Sequence, residues 1–447
     1  MPPPTLFHHA RVITGDGRTV IEDAAVIVAA DGLITDLGPR AAVPVPPGTA
    51  TVDLGGRTVM PTIINPHVHL GYLRDATVSS DNYSRTNVLD HLRRLAYYGV
   101  GVVQSLGTDR DDTEITLRDE QRSGALDDPE LPLLFTAGTG LVAPTPGEIN
   151  GGPYFATDVV HEVSDPAQAR ATVRALARKR PDAIKFWVDD RWGTRAKLTP
   201  DVYGAIIGEA HDLGFLAIAH IFELADAKGV LRAGADGIAH MVRSPGPDAE
   251  LLELLQQDTV FAFTSMGIQR TAYDDSGWLD EPALTATVSE AARADTRARI
   301  AALTSEEAAT ARAGYAILED GLRRYVESGV RVLLSADTGA RTQFFGIAEH
   351  RELESMVRAG MPALQAIRSA TQLPAEVLGL PDRGTLAPGR RADLLILDAD
   401  PLTDITATRA ISAVYFAGRR VNREALRGRW GPGGRTEAVG PRGGRGR

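Results

Sequence analysis

The sequence predicts an α/β fold: a (β/α)8 TIM barrel over residues 61–380, with a small β-sandwich built from both chain ends, 1–60 and 381–426. Three observations predict it. Between Met60 and about residue 380, short apolar runs of strand length alternate with longer helical stretches. Short strands and turns flank this region on both sides, and neither flank alone has enough apolar material for a core. The apolar runs of the middle region end on His, Lys or Asp, as expected where strand C-termini open on one catalytic face.

The N-terminal flank runs Ala10-Arg-Val-Ile-Thr, a turn at Gly15-Asp-Gly17, Ala24-Ala-Val-Ile-Val-Ala, a turn at Asp31-Gly32, and Leu33-Ile-Thr-Asp-Leu. Alternation with Asp-Gly turns reads as a β-meander. The Pro-rich Val43–Gly48 reads as an extended loop. Barrel strands are expected at Val59–Ile64, Val100–Leu106, Leu131–Ala137, Ala183–Val188, Phe215–Ala219, Gly237–Ala239, Val260–Thr264 and Arg331–Ser335. Helices fall between them, as at Val88–Tyr98, Pro166–Arg180, Pro200–Leu213 and Ala249–Gln256. A doubly wound sheet is the rival, weakened because no Gly-rich phosphate turn follows the first strand. Ser265–Ser328 is an insertion before the last strand, polar at first with Tyr273 and Trp278, then Ala-rich and charged over Glu290–Arg312, which reads as exposed helix. Such an insertion either covers the active face or packs on the outside. After helices at Ile347–Arg358 and Ala363–Ser369, the β pattern returns with a turn at Gly384–Gly389 and strands at Ala392–Asp398 and Ala413–Val421. The stretch 427–447 is rich in Gly and Arg and reads as a disordered tail, with RNA binding as the other reading of that composition.

The chain has 447 residues, 43% hydrophobic and 24% charged, a globular composition. Its net charge of −10 argues against nucleic acid or an anionic membrane as partner. With no cysteine, disulfides and thiolate ligands are excluded, and a metal would be held by N and O donors. The start of the sequence has no basic, apolar leader pattern, and no run is apolar for long enough to span a bilayer. The expectation is a cytoplasmic protein acting on a small molecule; a homo-oligomer is compatible with it.

His67 and His69 lie in Pro61-Thr-Ile-Ile-Asn-Pro-His-Val-His-Leu70. Residues i and i+2 of a strand share a face, so both imidazoles can reach one metal ion. Lys185 lies on the fourth strand, His220 ends the fifth, His240 the sixth and Asp337 the eighth, so these polar groups converge on one rim. For each alone a bland reading exists: a chance His-x-His, a salt-bridging lysine, an N-cap carboxylate.

With this set in this order, and with the turn Gly384-Thr-Leu-Ala-Pro-Gly-Arg-Arg-Ala-Asp-Leu, the chain resembles the amidohydrolase superfamily of metal-dependent hydrolases from Thr5 to about Leu426. It looks closest to the branch with imidazolonepropionase-like enzymes, prolidase-like dipeptidases and ochratoxin-type amidases. Pro-Thr-Ile-Ile-Asn stands where the family usually has Pro-Gly-Leu-Ile-Asp. The resemblance implies two divalent metals, zinc by preference. His67, His69 and Asp337 would bind the buried one and His220 and His240 the exposed one, with Lys185 bridging both as a carbamate. A bridging hydroxide would attack a C–N amide bond of a dipeptide or N-acyl amino acid, with Asp337 moving the proton. Hydrolysis of a cyclic amide, lactone or phosphotriester would use the same attack. A mononuclear deaminase and a ligand-depleted assembly protein are the other classes; the first usually lacks the lysine, the second the ligands.

Substrate contacts are expected from the loops after the strands: Tyr72 and Arg74, the Gly-rich stretch 147–154 with Tyr154, Arg191 with Trp192, Arg243, and Arg270. An arginine there suits a substrate carboxylate. His91 and His211 read as surface residues, His161 and His350 as structural with a place beside the site as the other reading, and His8 and His9 as part of the sandwich.

Overall fold

The computed structural model describes residues 3–144, 159–270, 275–340 and 342–430. Five strands open the chain: β1 (Thr5–Ile13), β2 (Val20–Val28), β3 (Ile34–Pro39), β4 (Ala50–Asp53) and β5 (Thr58–Pro61). Asp16 shapes the first turn by accepting N–H groups from Arg18 at 3.0 Å and Thr19 at 2.8 Å. Pro61 ends β5. The next N–H, of Thr62, goes to Asp393 O at 3.1 Å, and that of Ile63 to Gly99 O at 3.0 Å. The chain thus leaves one sheet and enters another within a residue, and the single strand expected over Val59–Ile64 is divided between two sheets.

β6 (Ile63–Val68) leads through the hairpin β7 (Leu73–Arg74) and β8 (Thr77–Val78) to α1 (Arg85–Tyr97) and β9 (Val100–Ser105). α1 starts where the Ser84 side chain accepts the Asn87 N–H, and it buries Val88, Leu92, Leu95 and Ala96 on one face. That same face carries His91, which is buried and not on the surface as expected; its ring stacks on Phe345 at 3.9 Å. α2 (Thr113–Ser123) and β10 (Leu133–Thr136) follow, and β10, β9 and β6 form a parallel sheet.

A second parallel sheet continues the βα rhythm through β11 (Gly140–Val142), β12 (Val160–Glu162), α3 (Pro166–Ala177), β13 (Ile184–Val188), α4 (Pro200–Asp212), β14 (Ala217–Ile221), α5 (Leu224–Arg232), β15 (Gly237–Ile238), α6 (Ala249–Leu255) and β16 (Phe261–Phe263). Its order is β12-β11-β13-β14-β15-β16-β17, the last strand being β17 (Val332–Leu333). β11 and β12 are additional to the expected strands. Between the two sheets lie a parallel bridge, Val68 to Thr338, and an antiparallel one, Thr108 to Thr139.

The insertion before β17 holds α7 (Gly267–Arg270), α8 (Pro282–Thr285), α9 (Glu290–Ala301) and α10 (Ser305–Glu327). Where one exposed helix was expected over Glu290–Arg312, there are two. Thr304 and Glu307 form a capping box that starts α10 afresh. α10 then buries Tyr315, Leu318, Leu322 and Tyr325, so the insertion adds core as well as surface. Tyr273 lies outside the described residues.

α11 (Ile347–Arg358), α12 (Ala363–Ser369) and α13 (Gln372–Val377) lead to β18 (Leu394–Leu397), β19 (Ile411–Phe416) and β20 (Arg419–Arg420). The two chain ends meet in one mixed eight-stranded sheet, β20-β19-β18-β5-β1-β2-β3 with β4 beside β1. Its seam is the antiparallel pair β5–β18, with Leu394 opposite Pro61 and Ile396 opposite Val59. Phe7, Val12, Val26, Val59, Leu394 and Ile396 share a core there, distinct from the one among the helices. Among the described residues no helix is long and apolar enough to cross a membrane.

The last described element is α14 (Arg423–Trp430). Of the stretch expected to be a disordered tail from Arg427, residues 431–447 lie outside the described residues and 427–430 are helical. The cause is Trp430. Its Nε1 donates to Asp90 Oδ1 at 2.8 Å, its ring meets Tyr97 edge-on at 5.7 Å, and the Arg94 guanidinium lies over it at 4.8 Å. A chain ending after Leu426 should accordingly be less stable than one ending after Trp430, by about 2 kcal/mol for the lost aromatic burial and hydrogen bond. Denaturant unfolding of the two truncations checks this; equal midpoints would show that α14 is not docked.

Candidate metal centre

The polar residues singled out in the sequence lie on the parallel strands or just after them. His67 is on β6 and His69 just beyond it, Lys185 is on β13, His220 on β14, His240 follows β15 and Asp337 follows β17. All six are buried. Asp337 Oδ1 lies 3.0 Å from His69 Nε2 and 3.3 Å from His67 Nε2, and Asp337 Oδ2 lies 4.0 Å from His240 Nε2. Ligand atoms of His67, His240 and Asp337 all lie within 4.8 Å of one another. The His220 and His240 rings are 4.6 Å apart, centre to centre. β13 and β14 pair in register, with Trp187 opposite His220, which sets Lys185 one strand away from His220 and two from His240.

Lys185 is 1% exposed and its Nζ has no hydrogen-bond partner. Burial pushes its pKa down to about 7, against a smaller opposing pull from Asp337. Burial likewise pushes His67 and His240 well below the usual histidine range, and takes His220 to about 3 even though Asp189 faces it. These imidazoles are therefore neutral, the form that ligates metals. Burial alone would raise the Asp337 carboxyl; the surrounding His67, His69 and Lys185 outweigh it and keep the group below the usual carboxylate range. Asp337 also has a left-handed backbone, φ 47°, which for a non-glycine residue is strain held at a functional site.

A set of partners not foreseen from the sequence fixes these side chains. Ser335 Oγ is 3.1 Å from His67 Nδ1, Thr108 Oγ1 is 3.0 Å from His69 Nδ1, and Asp189 Oδ2 is 3.1 Å from His220 Nε2. Each holds one ring nitrogen, as outer partners of metal-binding histidines do, and Nε2 of His67 and of His69 faces Asp337. Ser335 and Asp189 lie within a few residues of strand ends, a placement that could have flagged them. Asn65 accepts the His67 N–H at 3.0 Å and donates to Glu349 Oε1 at 2.7 Å. Thr338 Oγ1 donates to the same oxygen at 2.7 Å. Glu349 is on α11, so its buried carboxylate ties the ends of β6 and β17 to that helix, and nothing in the local sequence announces it. Two glycines make room: a Cβ on Gly107 (φ 86°) would stand 2.8 Å from Lys185 Cγ, and one on Gly339 (φ 101°) 2.0 Å from His69 O.

The residues expected to meet substrate divide. Tyr72 is fully buried and its hydroxyl donates to the carbonyl of Thr108 at 2.8 Å, the residue whose own hydroxyl meets His69. Arg191 is 3.4 Å from Asp189 and joins the loop after β13 to the partner of His220. Arg243 is partly buried, with its guanidinium over Phe222 at 4.7 Å and its Nε without a partner. Arg270 is a structural residue, paired with Glu354 at 2.8 Å. Tyr154 and the stretch 147–154 lie outside the described residues. His350 is buried with Nε2 2.9 Å from Tyr98 O, His161 meets Thr139 at 2.9 Å, and the half-exposed His211 pairs with Asp236 at 2.9 Å.

The buried imidazoles of His67 and His240 and the carboxylate of Asp337 form a donor set that could hold a metal ion. The model of the amidohydrolase family matches residues 58–421, and the chain belongs to that family, a hydrolase of carbon–nitrogen bonds. It is 27% identical over 418 residues to the imidazolonepropionase of Deinococcus radiodurans, covering 90% of this chain and 93% of the relative. Two solved structures share the fold. One is a Xaa-Pro dipeptidase with bound methionine in its active site (TM-score 0.73, 23% identity, 93% of this chain and 99% of that one). The other is the A. niger ochratoxinase (TM-score 0.74, 19% identity, 97% and 99%).

The Asn65–Glu349 contact can be tested by exchange. Asn65→Asp alone sets two carboxylates against each other in a dry site and should destabilise the fold by about 2–4 kcal/mol. Adding Glu349→Gln returns a donor to the pair and should recover most of that loss. A double-mutant cycle in denaturant measures the coupling; additive losses would show that the two groups do not interact.

Proposed function

We propose that this protein is a two-metal amidohydrolase that cleaves the C–N bond of a dipeptide or an N-acyl amino acid. The observation that carries the reading is the buried, unpartnered Lys185 amine among His67, His69, His220, His240 and Asp337. An ammonium in that position has three donors and no acceptor. The amine can instead add carbon dioxide, release one proton and become an anionic group with two oxygens. The donor set fits divalent metal, zinc by preference, since it offers imidazole nitrogens and carboxylate oxygens and no thiolate. His67, His69 and Asp337 would hold one ion, His220 and His240 the second, and carbamylated Lys185 would join them. When bound, the metals supply an activated water and polarise the scissile carbonyl.

The chain's own groups do the rest. Asp337 takes the proton from the attacking water and passes it to the leaving nitrogen. Ser335, Thr108 and Asp189 keep His67, His69 and His220 oriented. Arg243, with a free Nε and in the field of Asp189 and Asp337, receives the substrate carboxylate. Trp192 is 76% exposed and meets Phe222 edge-on at 5.4 Å, so an apolar substrate side chain has an aromatic wall next to that arginine. Similarity to an imidazolonepropionase along most of the chain favours a second reading on the same site, hydrolysis of a cyclic amide.

Two structural readings belong to this proposal. The two parallel sheets are arcs of one (β/α)8 barrel, joined at Val68–Thr338 and Thr108–Thr139, and the terminal sheet with its separate core is the small sandwich.

Lys185→Ala should lower both metal content and turnover by at least tenfold, and a short carboxylic acid added to that variant should restore part of each. Lys185→Arg should restore neither, because guanidinium stays protonated and accepts neither carbon dioxide nor metal. Full metal content in Lys185→Ala, with activity regained in Lys185→Arg, would overturn the bridging role. Arg243→Leu should raise KM for carboxylate-bearing substrates about 10- to 100-fold, the loss of a charge-assisted pair, with little change for the matching amides. A panel of dipeptides, N-acyl amino acids, cyclic amides, lactones and phosphotriesters supplies the substrate; equal KM values for acid and amide would remove Arg243 from substrate recognition.

A further inference from the structure

A second cluster of metal-ligating groups lies on the terminal sheet. His8 Nδ1 is 3.2 Å from His9 Nδ1, and His9 Nδ1 is 3.0 Å from Asp53 Oδ1. All three ligand atoms lie within 4.8 Å of one another. We propose that His8, His9 and Asp53 form a binding site for a borderline divalent cation such as zinc, nickel or copper, separate from the catalytic centre.

Consecutive residues of a strand point to opposite faces, so two neighbouring histidines should not meet. Here their rings are 4.6 Å apart. The cause is a bulge in β1. Phe7 pairs with Val26 and Ala10 with Ala24, so β1 spends one more residue than β2 over the same span. His9 takes up the extra residue with φ 51°, a left-handed conformation that a histidine adopts at a cost. The parallel ladder between β1 and β4 then sets His8 directly beside Asp53. Bulge, strained backbone and ladder register together bring three side chains to one point.

His9 Nδ1 stands between two lone-pair donors, His8 Nδ1 in its Nε2–H tautomer and the Asp53 carboxylate. A cation accepts a lone pair from all three. Ligand atoms on a tetrahedron with metal–ligand bonds of about 2.1 Å stand roughly 3.3 Å apart, close to the two short separations here. Three protein ligands leave a fourth position for water, and the half-exposed site admits it. The neighbouring cation Arg40 is engaged by Asp23 at 2.9 Å. The bound ion would clamp β4 to β1, the strand it pairs with in the terminal sheet.

The full chain dialysed against micromolar zinc tests this by metal analysis. His9→Gly removes a ligand while relaxing the positive φ, so it should fold as well as the parent. Asp53→Asn is a second, exposed substitution. Each variant should hold one zinc fewer per chain than the parent, with turnover unchanged, and the rise in Tm that added zinc gives the parent should shrink in both. Equal zinc content in all three proteins overturns the proposal, as does a difference that emerges only at millimolar zinc, which would mean an adventitious ion only. Because the readout is a difference in stoichiometry at constant turnover, it stands apart from the catalytic centre and from the number of ions held there.

Discussion

The most demanding constraint in this molecule is the burial of Asp337 against the imidazoles of His67 and His69, at 3.0 and 3.3 Å. Taking a carboxylate out of water is costly unless its partners are already in place. Those partners come from strands widely separated in the chain. β6 must run alongside the end of β17, and the bridge from Val68 to Thr338 with the His69 N–H on Thr338 O at 2.7 Å fastens them. Behind this pair, Asn65 and Thr338 both donate to Glu349 Oε1, so the strain at Asp337 is held by a buried polar network and not by packing alone.

That network explains α11. Glu349, His350, Arg351 and Glu352 are all buried there, an unusual run for the interior. Each meets a partner from a different segment. Glu349 takes Asn65 and Thr338, His350 takes Tyr98 O, the Arg351 guanidinium lies over Trp278 at 3.9 Å, and Glu352 accepts the N–H groups of Met266 and Gly267 at 2.8 and 2.7 Å. One helix thus orients the ends of β6, β16 and β17 together. The terminal sheet does the same from the other side, since β5 passes directly into β6.

The rim above the centre is coupled to it. Asp189 accepts the Arg191 N–H at 2.8 Å through one oxygen and meets His220 through the other. The loop that presents Trp192 is therefore registered to a candidate metal ligand by a single carboxylate, and Phe222, two residues beyond His220, carries Arg243 and Trp192 on its ring. A substrate lying across that ring would be positioned by the same elements that position His220.

Much of this was legible in the sequence, because alternation of apolar runs and the residue at each run's end are local signals. His67, His69, Lys185, His220, His240 and Asp337 could be selected as strand-end polar residues without coordinates. Which of them touch is a matter of strand order and register, and only the folded chain brings Asp337 onto His69 across 268 residues. The outer partners escaped for the same reason. Asn65, Thr108, Asp189, Ser335 and Glu349 are unremarkable by type, and a hydrogen bond between them is a property of distance. The same limit misplaced His91 on the surface, cut Val59–Ile64 as one strand and missed the helix that holds Trp430. Composition reports what a residue prefers, whereas a neighbour's ring, carboxylate or carbonyl in three dimensions decides whether that preference is met.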